Sequence, residues 1–199
     1  MSVSKRVLGA LVITTLAMAR PALAQDHKVS LFGLGGGFNG VTSLDNRSTA
    51  DFKSTGYNVG GGLGVRLHRY VSLRGNFTYA RNELQLNSRN TGNRLNRYYY
   101  DAALQLQYPV SPNFEPYIFA GGGAVTLDPA GTSGGNKTKG TGTFGLGFNY
   151  AIPRSPFGVF AQGQSWLYKL DGLNGQLAGF NKTQFEIAWS GGLSYQLPF

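Results

Sequence analysis

The chain contains no cysteine. That excludes a disulfide scaffold, thiol chemistry and cysteine lipidation. Histidine occurs only at His27 and His68, and nine acidic residues are scattered through 199 positions. Histidine-based catalysis and carboxylate dyads therefore have few candidates, and no metal or cofactor is expected. Long apolar runs are missing beyond the N-terminus. The run at residues 7–18 is too short for the ~20 residues a spanning helix needs. It follows Lys5 and Arg6 and precedes Pro21-Ala22-Leu23-Ala24, a small-x-small cleavage site. Residues 1–24 are therefore predicted to be a cleaved secretory signal.

The predicted mature chain, residues 25–199, has the length of one domain. Taking Lys5, Arg6 and Arg20 from eighteen basic residues leaves fifteen against nine acidic ones, a net charge of +6. In an exported chain this balance favours anionic lipid or lipopolysaccharide over nucleic acid, which is not expected as a partner.

What the chain does have is a two-residue beat. Residues 185–199 alternate Phe185, Ile187, Trp189, Gly191, Leu193, Tyr195, Leu197 and Phe199 with Glu186, Ala188, Ser190, Gly192, Ser194, Gln196 and Pro198. The same alternation runs through 57–67, 71–79, 98–108 and 143–150. It is strand periodicity, and less regular segments at 28–38, 115–127 and 157–168 bring the count to eight. Short connections at 68–69, 109–114 and 152–156 alternate with long polar ones at 39–54, 82–96, 128–140 and 169–182. Strand pairs start near Lys28, Tyr70, Glu115 and Phe157, a hairpin repeat of 42 to 45 residues.

Thirty glycines are present, many inside these strands. A phosphate-cradling loop fails on detail, since GLGGGF at 33–38 has Phe38 where the third glycine belongs. In-strand glycine instead permits curvature and close packing in a small closed sheet.

Three features point the apolar face outward. The opposite face carries Asn, Gln, Ser, Thr and Gly with few charges, unlike the Lys- and Glu-rich face of a water-exposed sheet. Aromatics gather near strand ends: Tyr70, Tyr108, Phe114, Tyr117, Tyr150, Phe157, Tyr195 and Phe199 by the short turns, and Tyr57, Phe77, Tyr79, Tyr98, Tyr100, Trp166, Tyr168 and Phe185 toward the long loops. Two such girdles suit the interfaces of a bilayer. Strand lengths match the ~9–11 residues of a tilted membrane strand.

The expected fold is all-β: an eight-stranded antiparallel up-and-down transmembrane barrel with short periplasmic turns and long extracellular loops. Its interior is just wide enough for side chains to fill. Arg66, Arg74, Asp101, Gln105, Gln107, Gln162, Gln164 and Glu186 are expected to form a lumen polar network, as a plug or as a narrow gated ion path. His68 lies in a short turn and His27 before the first strand, both away from the long-loop rim, so the chain is not expected to be an enzyme. In the long connections, Arg81, Arg89, Arg94, Arg97, Lys137 and Lys139 could meet an anionic ligand, since guanidinium forks match phosphate geometry. They could equally be solvated rim residues that snorkel beside headgroups.

With these features the chain resembles the small eight-stranded outer-membrane barrels, a group that includes the OmpA transmembrane domain, OmpX and the opacity-type porin-like adhesins. Such proteins carry a C-terminal strand of the form polar-x-Gly-x-x-aromatic-x-hydrophobic. Here it reads Ser190, Gly192, Tyr195 and Leu197, with Pro198-Phe199 overhanging, so either Leu197 or Phe199 takes the terminal anchor position. The resemblance implies recognition by the barrel assembly machinery. It implies residence in the outer membrane of a Gram-negative-type bacterium after Sec export, among lipid and lipopolysaccharide. The expected role is envelope integrity with surface binding through the loops, to a ligand the sequence does not name. A small-solute or ion pore is the second reading, and a soluble periplasmic carrier of apolar ligands the third.

Overall fold

The computed structural model describes residues 28–41, 50–52, 55–86, 89–130, 136–170 and 182–198. The expected signal at 1–24, His27 and Phe199 lie outside these described residues. Every described element is a strand: β1 (Val29–Gly40), β2 (Ala50–Phe52), β3 (Gly56–His68), β4 (Val71–Leu86), β5 (Arg89–Gln107), β6 (Phe114–Ala130), β7 (Lys137–Ala151), β8 (Phe157–Leu170) and β9 (Lys182–Gln196).

All pairings are antiparallel; from β3 to β9 successive strands pair with one another, and β1 closes the ring by pairing with both β3 and β9. Eight strands thus form a closed barrel in which no spanning strand has a free edge. Closure satisfies backbone amides where no water could. The ninth strand, β2, is a three-residue addition that pairs with β4 at Leu84–Leu86, past the point where β3 begins.

Two expectations need correction. The connection at 39–54 contains a strand, β2. The connection at 82–96 is not a long loop, because β4 runs to Leu86 and β5 starts at Arg89. The ladder from Asn82↔Leu95 to Leu86↔Arg89 continues the hairpin beyond the rest of the wall, with a bulge between Glu83 and Gln85. Polar composition marked this stretch as loop, yet the backbone bonds of an antiparallel ladder form whatever the polarity of the side chains.

At the opposite end the turns are tight. Val110 and Ser111 both donate backbone bonds to the Phe114 carbonyl, and Arg154 adopts a left-handed φ of 60° within the 152–156 turn. Between the two ends the alternation seen in the sequence becomes a two-sided wall. Leu104, Leu146, Trp189 and Leu193 are 49 to 63% exposed on its outside. Arg74, Asp101, Gln105, Gln107 and Gln162 are nearly inaccessible on the inside. A carrier barrel would show the reverse.

Candidate functional site

The lumen is built by parity. On β1, β3 and β4 the even residues point inward, and on β5 to β7 the odd ones do; β8 and β9 return to even. Every expected lumen residue obeys this rule, and the side chains stack into layers along the axis.

At the short-turn mouth, Arg66 Nη2 donates to Glu115 Oε2 at 2.6 Å, both side chains being partly exposed. Next come Ser72 and Gln105, which each donate to Gln107 Oε1 at 3.0 and 2.9 Å. Arg74 sits above them. It donates to Asn76 Oδ1, Gln105 Oε1 and Gln162 Oε1 at 3.1, 3.3 and 3.0 Å. Its guanidinium lies over the rings of Phe119 and Phe32, 4.4 and 5.0 Å from their centroids. Asp101 follows. Asn76 donates to its Oδ1, while Gln164 and Trp166 donate to its Oδ2 at 3.3 and 3.2 Å.

The loop-side half is closed by a second cluster. Arg97 Nε lies 2.8 Å from Glu186 Oε1, with both side chains completely buried. Tyr99 donates its hydroxyl to Glu186, and Arg97 donates to Asn82 Oδ1 at 3.2 Å. Trp166 stacks on Tyr99 with ring centroids 4.3 Å apart, and Phe38 leans on both. Val125 and Leu127 complete this apolar collar.

Four residues expected elsewhere join the lumen residues in these layers. Arg97, assigned to a possible anionic-ligand loop, is instead a lumen residue. It stands four residues before Asp101 on the same strand, so parity alone would have turned it inward once β5 was extended. Tyr117, Trp166 and Tyr168, assigned to the outer girdles, also face the lumen and are at most 5% exposed. Glu115, named in the sequence only as the start of a strand pair, joins the lumen as well, and its parity matches Tyr117 and Phe119.

Inward rings need space, and glycine supplies it across the ladder. Phe32 pairs with Gly62, Tyr117 with Gly147, Phe119 with Gly145 and Phe160 with Gly192. A Cβ on Gly145 would come within 2.4 Å of the Phe119 ring, and one on Gly192 within 2.6 Å of Phe160. Each ring lies across the partner strand's bare backbone, as in aromatic rescue of strand glycines. A small lumen can thus hold large aromatics without bulging the wall.

The remaining cationic candidates do not converge. Arg81 lies outward beside Tyr79, which hydrogen-bonds Asn96 at 2.9 Å, and it is in register with Tyr57. Arg94 is exposed and in register with Glu83. Lys137 and Lys139 have inward parity at the loop-side mouth, opposite Leu127 and Val125. Arg89 is placed on β5, and its side chain lies outside the described residues. The C-terminal candidates fall on β9 and just after it. Ser190 donates to Asn58 Oδ1 at 2.9 Å inside the barrel, Tyr195 packs outside against Phe157, and Leu197 donates its amide to Val29.

Other aromatics cluster on the outside at the two ends: Tyr70 stacks on Tyr108 near one, and Tyr57, Tyr79 and Tyr98 form a chain near the other. His68 packs on Tyr70 at the short-turn end. Among the described residues no group of three or more His, Asp or Glu is arranged to hold a metal ion.

Two solved structures align with most of the chain. The crystal structure of Neisserial surface protein A aligns over 86% of this chain and 97% of its own, at 14% identity and a TM-score of 0.57, which establishes a shared fold. OprG from Pseudomonas aeruginosa aligns over 87% of this chain and 95% of its own at 13% identity, with a TM-score of 0.49. No curated protein matches the chain in sequence. The profile of the outer membrane protein beta-barrel domain matches residues 8–196, and with a closed lipid-facing barrel in hand the chain belongs to that family.

Proposed function

We propose that this is a non-enzymatic outer-membrane barrel that contributes to envelope integrity and offers its loop end as a binding surface, without conducting solutes. The observation that carries the reading is the collar of Arg97, Glu186, Tyr99, Trp166 and Phe38, which fills the loop-side half of the lumen. A buried ion pair is costly to break, because each charge would be left without a partner. The collar is therefore a structural plug, with Arg74 and Asp101 bound into the layer beneath it.

The loop end supports binding of two kinds of surface. Arg81 beside Tyr57 and Tyr79 is placed as a snorkelling cation at lipid headgroups, where lipopolysaccharide phosphates would lie. Lys137 and Lys139 stand over the lumen mouth, in reach of a water-borne ligand. We infer in addition that residues 1–24 direct export by the Sec route, and that the final strand with Ser190, Gly192, Tyr195, Leu197 and Phe199 is read by the barrel assembly machinery. Asp101 and Glu186 are both taken up by internal donors, which supports the non-enzymatic reading.

Refolded protein in planar bilayers tests the closed lumen: no stable conductance steps are expected for potassium chloride. Reproducible steps would transfer the assignment to the pore reading.

A further inference from the structure

Below Arg74 the lumen is not filled. A cavity of about 240 Å³ occupies the short-turn end, enclosed by wall residues from β1 to β9 and by the turn residues Pro112 and Asn113. Its lining is unequal in charge: Lys28, Arg66 and Arg74 against Glu115. Among the described residues the other carboxylate of this half, Asp101, lies beyond Asn76 and does not line the cavity.

Arg74 closes the inner end of the cavity, and every acceptor it reaches is neutral. Among the described residues no carboxylate stands within ion-pair distance of it. Its ring contacts with Phe32 and Phe119 hold the guanidinium in place. A guanidinium in a narrow, partly desolvated cleft interacts far more strongly with an anion than it would in water. Around it the walls offer two further kinds of group. Ser72, Gln105 and Gln107 can exchange hydrogen bonds with hydroxyls, and Phe32 against Phe160 presents an apolar ring pair.

We propose that this vestibule is a binding site for a small hydroxylated organic anion, a sugar acid or sugar phosphate, entering from the short-turn side. Arg74 takes the anionic group, the amides and serines take the hydroxyls, and Phe32 and Phe160 lie along the carbon face. The volume suits a ligand of about monosaccharide size, since pockets for drug-sized ligands start near ~300 Å³. The site is independent of the loop end, and it survives even if the conductance experiment goes against a closed collar.

The absence of native cysteine makes the test clean. Ser194 lines the cavity, so the full chain carrying Ser194→Cys is refolded in detergent and treated with two methanethiosulfonate reagents of equal size and opposite charge. With each rate taken relative to that reagent's rate with a small free thiol, here and below, a cleft focusing positive potential makes the anionic reagent react about tenfold faster than the cationic one. Glucuronate or glucose 6-phosphate slows that reaction, whichever protects better naming the preferred anionic group, and neutral glucose does not. Adding Arg74→Gln abolishes the protection. Should that variant fail to show heat-modifiable migration, Lys28→Gln at the mouth is used instead and lowers the rate ratio. Equal rates for the two reagents, or no protection by either anion, would overturn the proposal.

Discussion

Arg97 and Glu186 meet 2.8 Å apart in the centre of the barrel, and no part of either side chain reaches solvent. They come from β5 and β9, strands that are not neighbours in the wall, so their contact spans the lumen. Arg97→Met or Glu186→Gln leaves one charge or its hydrogen-bonding partners stranded, and each should cost about 3–5 kcal/mol. Urea unfolding in lipid vesicles measures this. The double replacement Arg97→Met with Glu186→Gln should lose clearly less than the two single losses added together. Simple additivity would mean that the two groups do not act as a pair.

The pair at the mouth should behave differently. Arg66 and Glu115 are as close, at 2.6 Å, but both remain partly hydrated. Arg66→Gln should lower stability by at most about 1 kcal/mol, and the loss should shrink further in high salt. A loss comparable to that at Arg97 would show that the mouth is far drier than its exposure implies.

The outward face should resist charge according to depth. Leu146 is 63% exposed midway along β7. Leu146→Arg should destabilise the barrel in a bilayer by about 2–4 kcal/mol, the cost of a cation at the hydrocarbon midplane. Equilibrium folding into vesicles reads the loss, and an unchanged stability would place Leu146 outside the acyl region.

Two glycines on one strand separate space from conformation. A Cβ at Gly145 would meet the Phe119 ring and the Gly163 carbonyl oxygen, each at 2.4 Å, whereas at Gly142 nothing lies within 4 Å. Gly145→Ala should therefore cost about 1–3 kcal/mol through overpacking, while Gly142→Ala should stay within about 0.5 kcal/mol of the parent. Gel migration before and after boiling in detergent checks that both still close. Equal effects would remove the cross-strand packing argument.

How much of this could be read in advance follows from what a strand's period contains. Alternation in 57–67, 71–79, 98–108 and 185–196 specified two-faced strands, and regular hairpin spacing specified their number and order. The scarcity of lysine and glutamate opposite the apolar face specified which side meets lipid. Those are local properties, because successive side chains on a strand must point to opposite faces.

Partners were not legible. Aromatic rings look alike at either face in sequence, so Trp166 and Tyr168 passed for girdle residues until parity with Gln162 and Gln164 placed them inside. Polar hairpin extension and polar loop share a composition, which hid Arg97 at the start of the spanning part of β5.

The sequence by itself determined a closed, lipid-facing antiparallel barrel, since alternating apolarity along evenly spaced strands admits few other stable solutions. The tertiary structure alone decided how the lumen is filled. Barrel closure and register set which residues from distant strands share a layer, and so which arginine finds a carboxylate, which ring lies over a glycine, and where the space under Arg74 is left.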